Sequence, residues 1–423
     1  MFRSFVIICC VVLLAACNSQ KKAAFEQNQS NIYQPSVLSI RPEYSVFHTS
    51  DTLSQLMIKL DLAEILFNQA NPENELQAML RFQYNLVDIT SNNNNKEVSD
   101  SLTTVKKLVK QQGSDVIIAS LNIHAQTGKV YLLNIEVFDM LRNSGQKSFV
   151  VIDKTSAYTS QNFRVMIAGS NMPLFRSYIP DVDSVKILLR KNVDRLYIKY
   201  ARDNTTLALP PFSSQTEPAF VFAADSSWVL PYSTDKVYHF PYKGFYLIQT
   251  DSTQSAGLFL SGYDKSYPMV KEVASMISPL EYLSTSEEFR KIKEADDPKL
   301  ALDNFWLKMG DNVAVSREMI RVFYNRMFYA NLYFSSYKPG WKTDRGMIYM
   351  VFGPPSYIKK TANAETWEYN IKEEASNLTI KFIKAASPYS FNHYIMQRSD
   401  EYTPYWRMAI DSWRSGRVFT LEE

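Results

Sequence analysis

The chain has 423 residues, 46% of them apolar and 13% aromatic, a composition that excludes a mainly disordered protein. Lys and Arg number 46 against 43 Asp and Glu, giving a net charge of +3 with the two signs interspersed, so no basic stripe is offered to nucleic acid. A single core stops growing at roughly 250–300 residues, so a chain of this length is expected to divide into domains.

Arg3 precedes an apolar run over residues 5–14, followed by Leu14-Ala15-Ala16-Cys17. The run is too short to span ~30 Å of hydrocarbon and reads as an export signal. Leu-Ala-Ala-Cys resembles the lipobox of bacterial lipoproteins, which implies a signal peptide at 1–16 and a diacylglycerol thioether on Cys17, attaching the chain to a membrane. Cys9 and Cys10 would leave with the signal, so the mature chain is expected to hold no disulfide and no cysteine metal site. Residues 17–38 are rich in Gln, Asn, Ser and Lys, with Phe25, Ile32 and Tyr33 as the large apolar members, and read as a lipid anchor with a solvated tether. The expected anchor is the outer membrane, and because no acidic run of the kind seen in some surface-exported lipoproteins follows Cys17, that resemblance implies a periplasm-facing chain.

Residues 39–155 alternate with period two: Leu56, Ile58, Leu60 and Leu62, then Phe82, Tyr84 and Leu86, then Ile117, Leu121 and Ile123. Such alternation makes half-buried strands. Turn residues separate them at Asn71-Pro72, at an asparagine tract over 92–95, at Thr127-Gly128 and at Asn143-Ser144-Gly145, the last two placed for hairpins. A β-sandwich-like module is expected. A second β domain follows over 156–267, with strands at 185–189, 196–200, 219–222 and 244–248 and breaks at Pro210-Pro211 and Pro241.

Near Pro268 the period becomes helical. Helices are expected over 270–283 and 284–295, the latter with Ser284 and Glu287 as a capping box. Asp297-Pro298 then opens a helix that carries Leu302, Phe305, Trp306 and Met309. From Ser316 onward, Met319, Ile320, Phe323, Met327, Ala330 and Phe334 form one apolar face, with Arg317, Arg321 and Arg326 mostly elsewhere.

The segment after that helix runs Pro339-Gly340-Trp341-Lys342-Thr343-Asp344-Arg345-Gly346, then an apolar strand over 347–352, then Gly353-Pro354-Pro355. It closely resembles the GWxTD domain of bacterial envelope lipoproteins, with Gly340, Trp341, Thr343 and Asp344 at the fixed positions. Physically, Gly340 can adopt backbone angles closed to other residues, Trp341 buries a large ring, and Thr343 or Asp344 can bond the turn they open. Trp367 lies on a second aromatic strand, within a short stretch similar to a module of small barrel-assembly lipoproteins. The expected architecture is multidomain and mainly β: two β-sandwich-like modules, then an α+β part at 268–423 in which helices pack on a small antiparallel sheet. The aromatic and basic tail from Tyr394 to Phe419 reads as completing that core, with a protein-binding face as the alternative.

Recognisable catalytic and cofactor chemistry is missing. His48, His124, His239 and His393 lack metal-ligand spacing, no nucleotide or nucleophile fingerprint occurs, and no cofactor is expected. The functional expectation is a non-catalytic scaffold or accessory subunit that docks an outer-membrane or periplasmic protein complex, in barrel assembly or in secretion or motility. Two rivals stand beside it. A glycan or peptidoglycan receptor would use Trp228, Tyr232 and Tyr238 as exposed platforms. An envelope hydrolase would use Asp344, beside Arg345, together with Glu365, Glu368, Glu373 and Glu374, although glutamates on strand or turn positions are usually solvated.

Overall fold

The computed structural model describes residues 28–68, 75–90, 98–110, 113–170, 172–180, 183–370 and 377–419. The expected signal peptide at 1–16, Cys17, the Asn71-Pro72 turn, the asparagine tract, Glu373 and Glu374 lie outside the described residues.

The first module contains strands β1 (Glu43–His48), β2 (Leu53–Asp61), β3 (Gln77–Asp88), β4 (Val98–Val109), β5 (Val116–His124), β6 (Val130–Asp139) and β7 (Ser144–Asp153). Sheets β1-β2-β5 and β4-β3-β6-β7 share one core in which Leu56, Ile58, Phe82, Leu121 and Leu133 interleave. The period-two reading holds because each strand turns one face to that core. Asn143, at φ 55°, turns the β6–β7 hairpin as expected. Thr127-Gly128 does not make a hairpin. β5 pairs with β2 and β6 with β3, so this turn carries the chain from one sheet to the other.

The second module contains β8 (Phe163–Ile167), β9 (Met172–Pro173), β10 (Tyr178–Pro180), β11 (Ser184–Leu189), β12 (Arg195–Ala201), β13 (Ser226–Pro231), β14 (Val237–His239), β15 (Gly244–Gln249) and β16 (Leu258–Tyr263). They form the sheets β10-β16-β15-β12-β13 and β14-β11-β8-β9 around a second core. The strand expected at 219–222 is absent. Residues 202–225 form instead an extended strap between β12 and β13, and Phe220 stacks on Tyr337 with ring centroids 4.4 Å apart and planes 13° from parallel. The apolar run fills a contact with the third domain rather than a place in a sheet.

That domain comprises helices α1 (Val273–Ile277), α2 (Ser286–Lys293), α3 (Pro298–Gly310), α4 (Val313–Phe334) and α5 (Asp344–Phe352), strands β17 (Tyr357–Lys360), β18 (Ala364–Tyr369), β19 (Leu378–Lys384) and β20 (Tyr394–Met396), and helix α6 (Thr403–Arg414). The four strands are antiparallel in sequence order. The expected helix over 270–283 shortens to α1 plus a 3-10 turn at Ser278–Tyr282, where Pro279 interrupts the α-helical pattern. The capping box is one residue later than expected: Thr285 accepts from the Glu288 amide, and the Glu288 carboxylate accepts from the Thr285 amide. Asp297 caps α3 as expected, accepting from the Leu300 amide at 3.0 Å. The strand expected at 347–352 is helical, part of α5. All nine residues of α5 are buried, so its apolar run has no polar face to reveal a period. No helix among the described residues is long and apolar enough to cross a membrane.

The expected tether at 17–38 is also corrected. Residues 28–38 are not a solvated spacer but a clasp seated on the third domain. Tyr33 is 5% exposed and joins the core with Phe334, Tyr333 and Trp367, while seven residues later Ile40 enters the core of the first module. The Gln29 amide donates to the Ile358 carbonyl and the Ile358 amide to Asn28 Oδ1, both at 3.0 Å, so the clasp covers the free edge of β17. Residues 28–38 are thus fastened to the C-terminal domain. Five of the six tryptophans, at 306, 341, 367, 406 and 413, lie in this domain, so their fluorescence reports its unfolding. Tyr33→Ala is expected to cost about 3–5 kcal/mol, read as an earlier tryptophan-detected transition in urea; an unchanged midpoint would mean the clasp is not part of the core.

Candidate functional site

The Gly-Trp-x-Thr-Asp segment crosses α4 and opens α5. A Cβ on Gly340 would collide with the Ala330 carbonyl of α4, and one on Gly346 with the Gly340 carbonyl, so both positions require glycine for closeness of approach. Asn331 of α4 locks the crossing: its side-chain oxygen accepts from the Trp341 amide at 3.1 Å and its amide donates to the Pro268 carbonyl at 3.0 Å. Trp341 is buried edge-on against Tyr282, whose hydroxyl donates to the Trp341 carbonyl at 3.1 Å. Thr343 is the N-cap of α5, accepting from the Gly346 amide at 3.0 Å and donating to the Gly340 carbonyl at 2.7 Å.

Asp344 is 1% exposed and both its oxygens are engaged. Oδ2 accepts from the Met396 amide at 2.7 Å and closes the free edge of β20, while Arg398 forks onto both oxygens at 2.5 and 3.2 Å. Arg398 also donates to the strap carbonyls of Leu209 and Pro210, at 3.1 and 3.2 Å. Lys342, between Trp341 and Thr343, holds the strap through Asp203 at 3.2 Å and the Thr205 carbonyl at 3.2 Å. The strap therefore ties to the motif itself. Further along it, Glu217 forms a buried ion pair with Lys338.

Arg345 points the other way, into a buried cluster. Its guanidinium donates to Glu365 Oε1 at 3.0 Å and to the backbone and side-chain oxygens of Asn392 at 2.8 and 2.7 Å, and it lies over the Tyr394 ring at 4.0 Å. Glu365 also receives Tyr33 at 3.1 Å, Trp367 Nε1 at 3.2 Å and Lys360 at 2.9 Å. Contrary to the expectation of a solvated glutamate, Glu365 is 0% exposed, because β18 turns it towards the helices. Burial opposes its charge, but Lys360 and Arg345 outweigh burial and hold its pKa at about 2. Burial first, and then Glu365, raises that of the Tyr33 hydroxyl.

Arg326, expected with Arg317 and Arg321 mostly off the apolar face of α4, is buried and caps the far end of α5. It donates to the carbonyls of Met350, Val351 and Phe419 at 3.2, 3.1 and 2.7 Å and lies 5.4 Å from the Trp413 ring centroid. Burial lowers its pKa to about 10. Gly353, at φ +86°, passes so close that a Cβ would press on this guanidinium. Beyond it Pro354 leads to Pro355, whose carbonyl accepts from Gln34 of the clasp at 3.3 Å.

The motif thus forms a framework whose polar side chains bond the elements around it. Sequence reasoning missed Asn331, Arg326, Asn392, Arg398 and Tyr33. The signal for two of them was a polar side chain on an otherwise apolar helix face, at Arg326 and Asn331. The aromatics expected as a glycan platform are not a flat exposed patch: Tyr238 is 2% exposed, and Trp228 and Tyr232 pack against the second core. His48 and His393 are buried, burial pushing them down to about 4 and about 3, and among the described residues no group of three metal-ligating side chains occurs.

What faces outward beside the motif is a cleft of about 1060 Å³. The strap from Thr205 to Pro210 forms one wall, Ile277, Phe289 and Lys293 another, and Trp406, Ile410 and Arg414 of α6 a third, with Trp341 and Met347 within. Neither Asp344 nor Glu365 lines it.

Glu365→Gln leaves Arg345 buried opposite a neutral group and is expected to cost about 3–5 kcal/mol. Because the folded pKa of Glu365 lies below its ordinary 4.5, the ion pair stabilises the fold above pH 4.5, and that contribution is lost as pH falls towards about 2. Stability measured against pH should therefore fall across this window in the native protein and flatten in the variant. A variant that retains the full acid-induced loss would assign it to other groups. Gly340→Ala should give a chain that fails to reach native tryptophan fluorescence, since neither backbone can retreat; a native spectrum and unchanged midpoint would contradict the crossing described.

Residues 244–415 match the family model of the GWxTD domain, beginning at β15 and ending just after α6. No curated protein matches the chain. Among solved structures it is similar to a Bacteroides uniformis beta-glucuronidase 2 covalently bound to cyclophellitol-6-carboxylate aziridine, with 12% identity over 29% of this chain and 14% of that one and a TM-score of 0.18. It is similar also to a glycosyl hydrolase family 2 member from Bacteroides cellulosilyticus DSM 14838, with 8% identity over 34% of this chain and 19% of that one, again at 0.18. The chain spans less than a fifth of either, and at such scores the likeness carries no conclusion about fold or activity. The family model, its fixed residues at Gly340, Trp341, Thr343 and Asp344, and the geometry around them make this a GWxTD domain-containing protein.

Proposed function

We propose that this protein is a non-catalytic envelope lipoprotein, anchored through Cys17 to the outer membrane and facing the periplasm, that docks another envelope protein. The observation that carries the reading is that the charged motif side chains are engaged by neighbouring elements of the fold while a large, mainly apolar cleft opens beside them. Asp344 has both oxygens bonded and Glu365 is enclosed by Arg345, Lys360, Trp367 and Tyr33, so neither presents a carboxylate to a substrate. The cleft contains Trp341, and its walls carry Phe289, Trp406 and Arg414, residue types enriched where protein partners are anchored. Its occupant on this reading is an extended apolar segment of a protein belonging to a barrel-assembly, secretion or motility complex. The two modules upstream serve as a braced support, linked to the docking domain by the clasp and the strap.

Ala274 is exposed and lines the cleft, so Ala274→Trp fills it without removing a core contact. Native protein crosslinked in cells and purified through a C-terminal tag should retain a stoichiometric protein partner, and the variant should lose it while unfolding at the same urea concentration. Equal partner recovery by the variant would place docking elsewhere. No protein partner, with sedimentation alongside purified cell wall, would favour the glycan receptor instead.

A further inference from the structure

The clasp changes how far the docking domain stands from the membrane. A tether running to residue 38 would put 21 residues between Cys17 and the folded body, a span of up to about 75 Å at about 3.6 Å per residue. Asn28 is already fixed: its Nδ2 donates to the Ser356 carbonyl at 3.1 Å and its Oδ1 accepts from the Ile358 amide at 3.0 Å. Covalent geometry then allows at most about 40 Å between Cys17 and Asn28, eleven Cα–Cα steps apart, whatever path the ten intervening residues take. The attachment is not to the nearest module in sequence but to the edge of β17, beside the Pro354-Pro355 turn.

We propose that the β17 edge of the GWxTD domain is kept by the clasp within about 40 Å of a phospholipid bilayer. This rests on the reading of Cys17 as the site of lipid attachment. Two observations support it together. The clasp is seated by a buried ring, Tyr33, and by hydrogen bonds at both faces of the ring's backbone neighbourhood, including Tyr349 to the Tyr33 carbonyl at 2.9 Å, so it is part of the domain. Arg41 then fixes its far end, donating to the Gln34 and Val37 carbonyls at 2.7 and 2.8 Å and pairing with Glu64 of the first module at 2.8 Å. The partner class follows: a protein embedded in, or lying on, the same membrane leaflet, rather than one reached across the periplasm.

The test uses full-length acylated protein carrying Lys359→Cys, labelled with a fluorescent donor and reconstituted in phosphatidylethanolamine–phosphatidylglycerol vesicles with a headgroup acceptor. Acylation of Cys17 is checked by mass spectrometry of the same sample. Strong energy transfer is expected, falling when ten residues are inserted between positions 27 and 28, and falling likewise in Tyr33→Ala, which frees residues up to the first module. Acylated protein that shows no transfer, or transfer indifferent to the insertion, would overturn the stand-off while leaving the lipoprotein reading intact. An unmodified Cys17 would overturn both.

Discussion

An arginine in the first turn of a helix that is buried on every side is tolerated only when its charge is answered inside the protein. Arg345 is answered by Glu365, and Glu365 in turn draws in Lys360, Trp367 and the hydroxyl of Tyr33 from the opposite end of the chain. Replacing such a cluster with apolar groups is often neutral, whereas removing one member is costly. The cluster therefore acts less as a source of net stability than as a registry device. It fixes which side chains meet: α5, β18 and the clasp can each occupy only one position.

The neighbouring residue, Asp344, does the same work in the other direction. Its carboxylate closes the β20 edge and, through Arg398, holds the strap from the second module. The four-stranded sheet thus has one edge covered by the clasp and the other met by the motif, and both exposed strand edges, which otherwise invite pairing with foreign chains, are occupied. Adjacent residues Asp344 and Arg345 serve two different attachments, which is why they need opposite charges and a helix start between two backbones in close contact. The glycines at 340 and 346 make that contact sterically possible.

Much of this was legible in the sequence. The alternation in the first module, the strands at 185–189 and 244–248, the Asp297 cap and the apolar face of α4 follow from local periodicity and cap chemistry, which the chain writes residue by residue. The α5 helix was misread as a strand because burial on all sides removes the polar face that defines a period. Glu365 was misplaced for a related reason: its solvation depends on which face of β18 meets α5, a tertiary fact. The clasp was least legible of all. Tyr33 stands in polar surroundings, and its partners lie more than three hundred residues away, so nothing local distinguishes a seated segment from a solvated one. The Thr127-Gly128 turn shows the same limit, since its chemistry is that of a tight turn whether the chain returns to the same sheet or passes to the facing one.

Residues 28–38 and the buried Arg345–Glu365 pair belong to one cooperative unit with the GWxTD domain. Hydrogen exchange on the full-length protein measures this directly. The amides of Gln29, Ile358 and Met396 should be protected together and released in one step with the α5 amides as urea is raised. Release of Gln29 and Ile358 well before α5, with the domain otherwise intact, would contradict the account and return the clasp to the status of a tether.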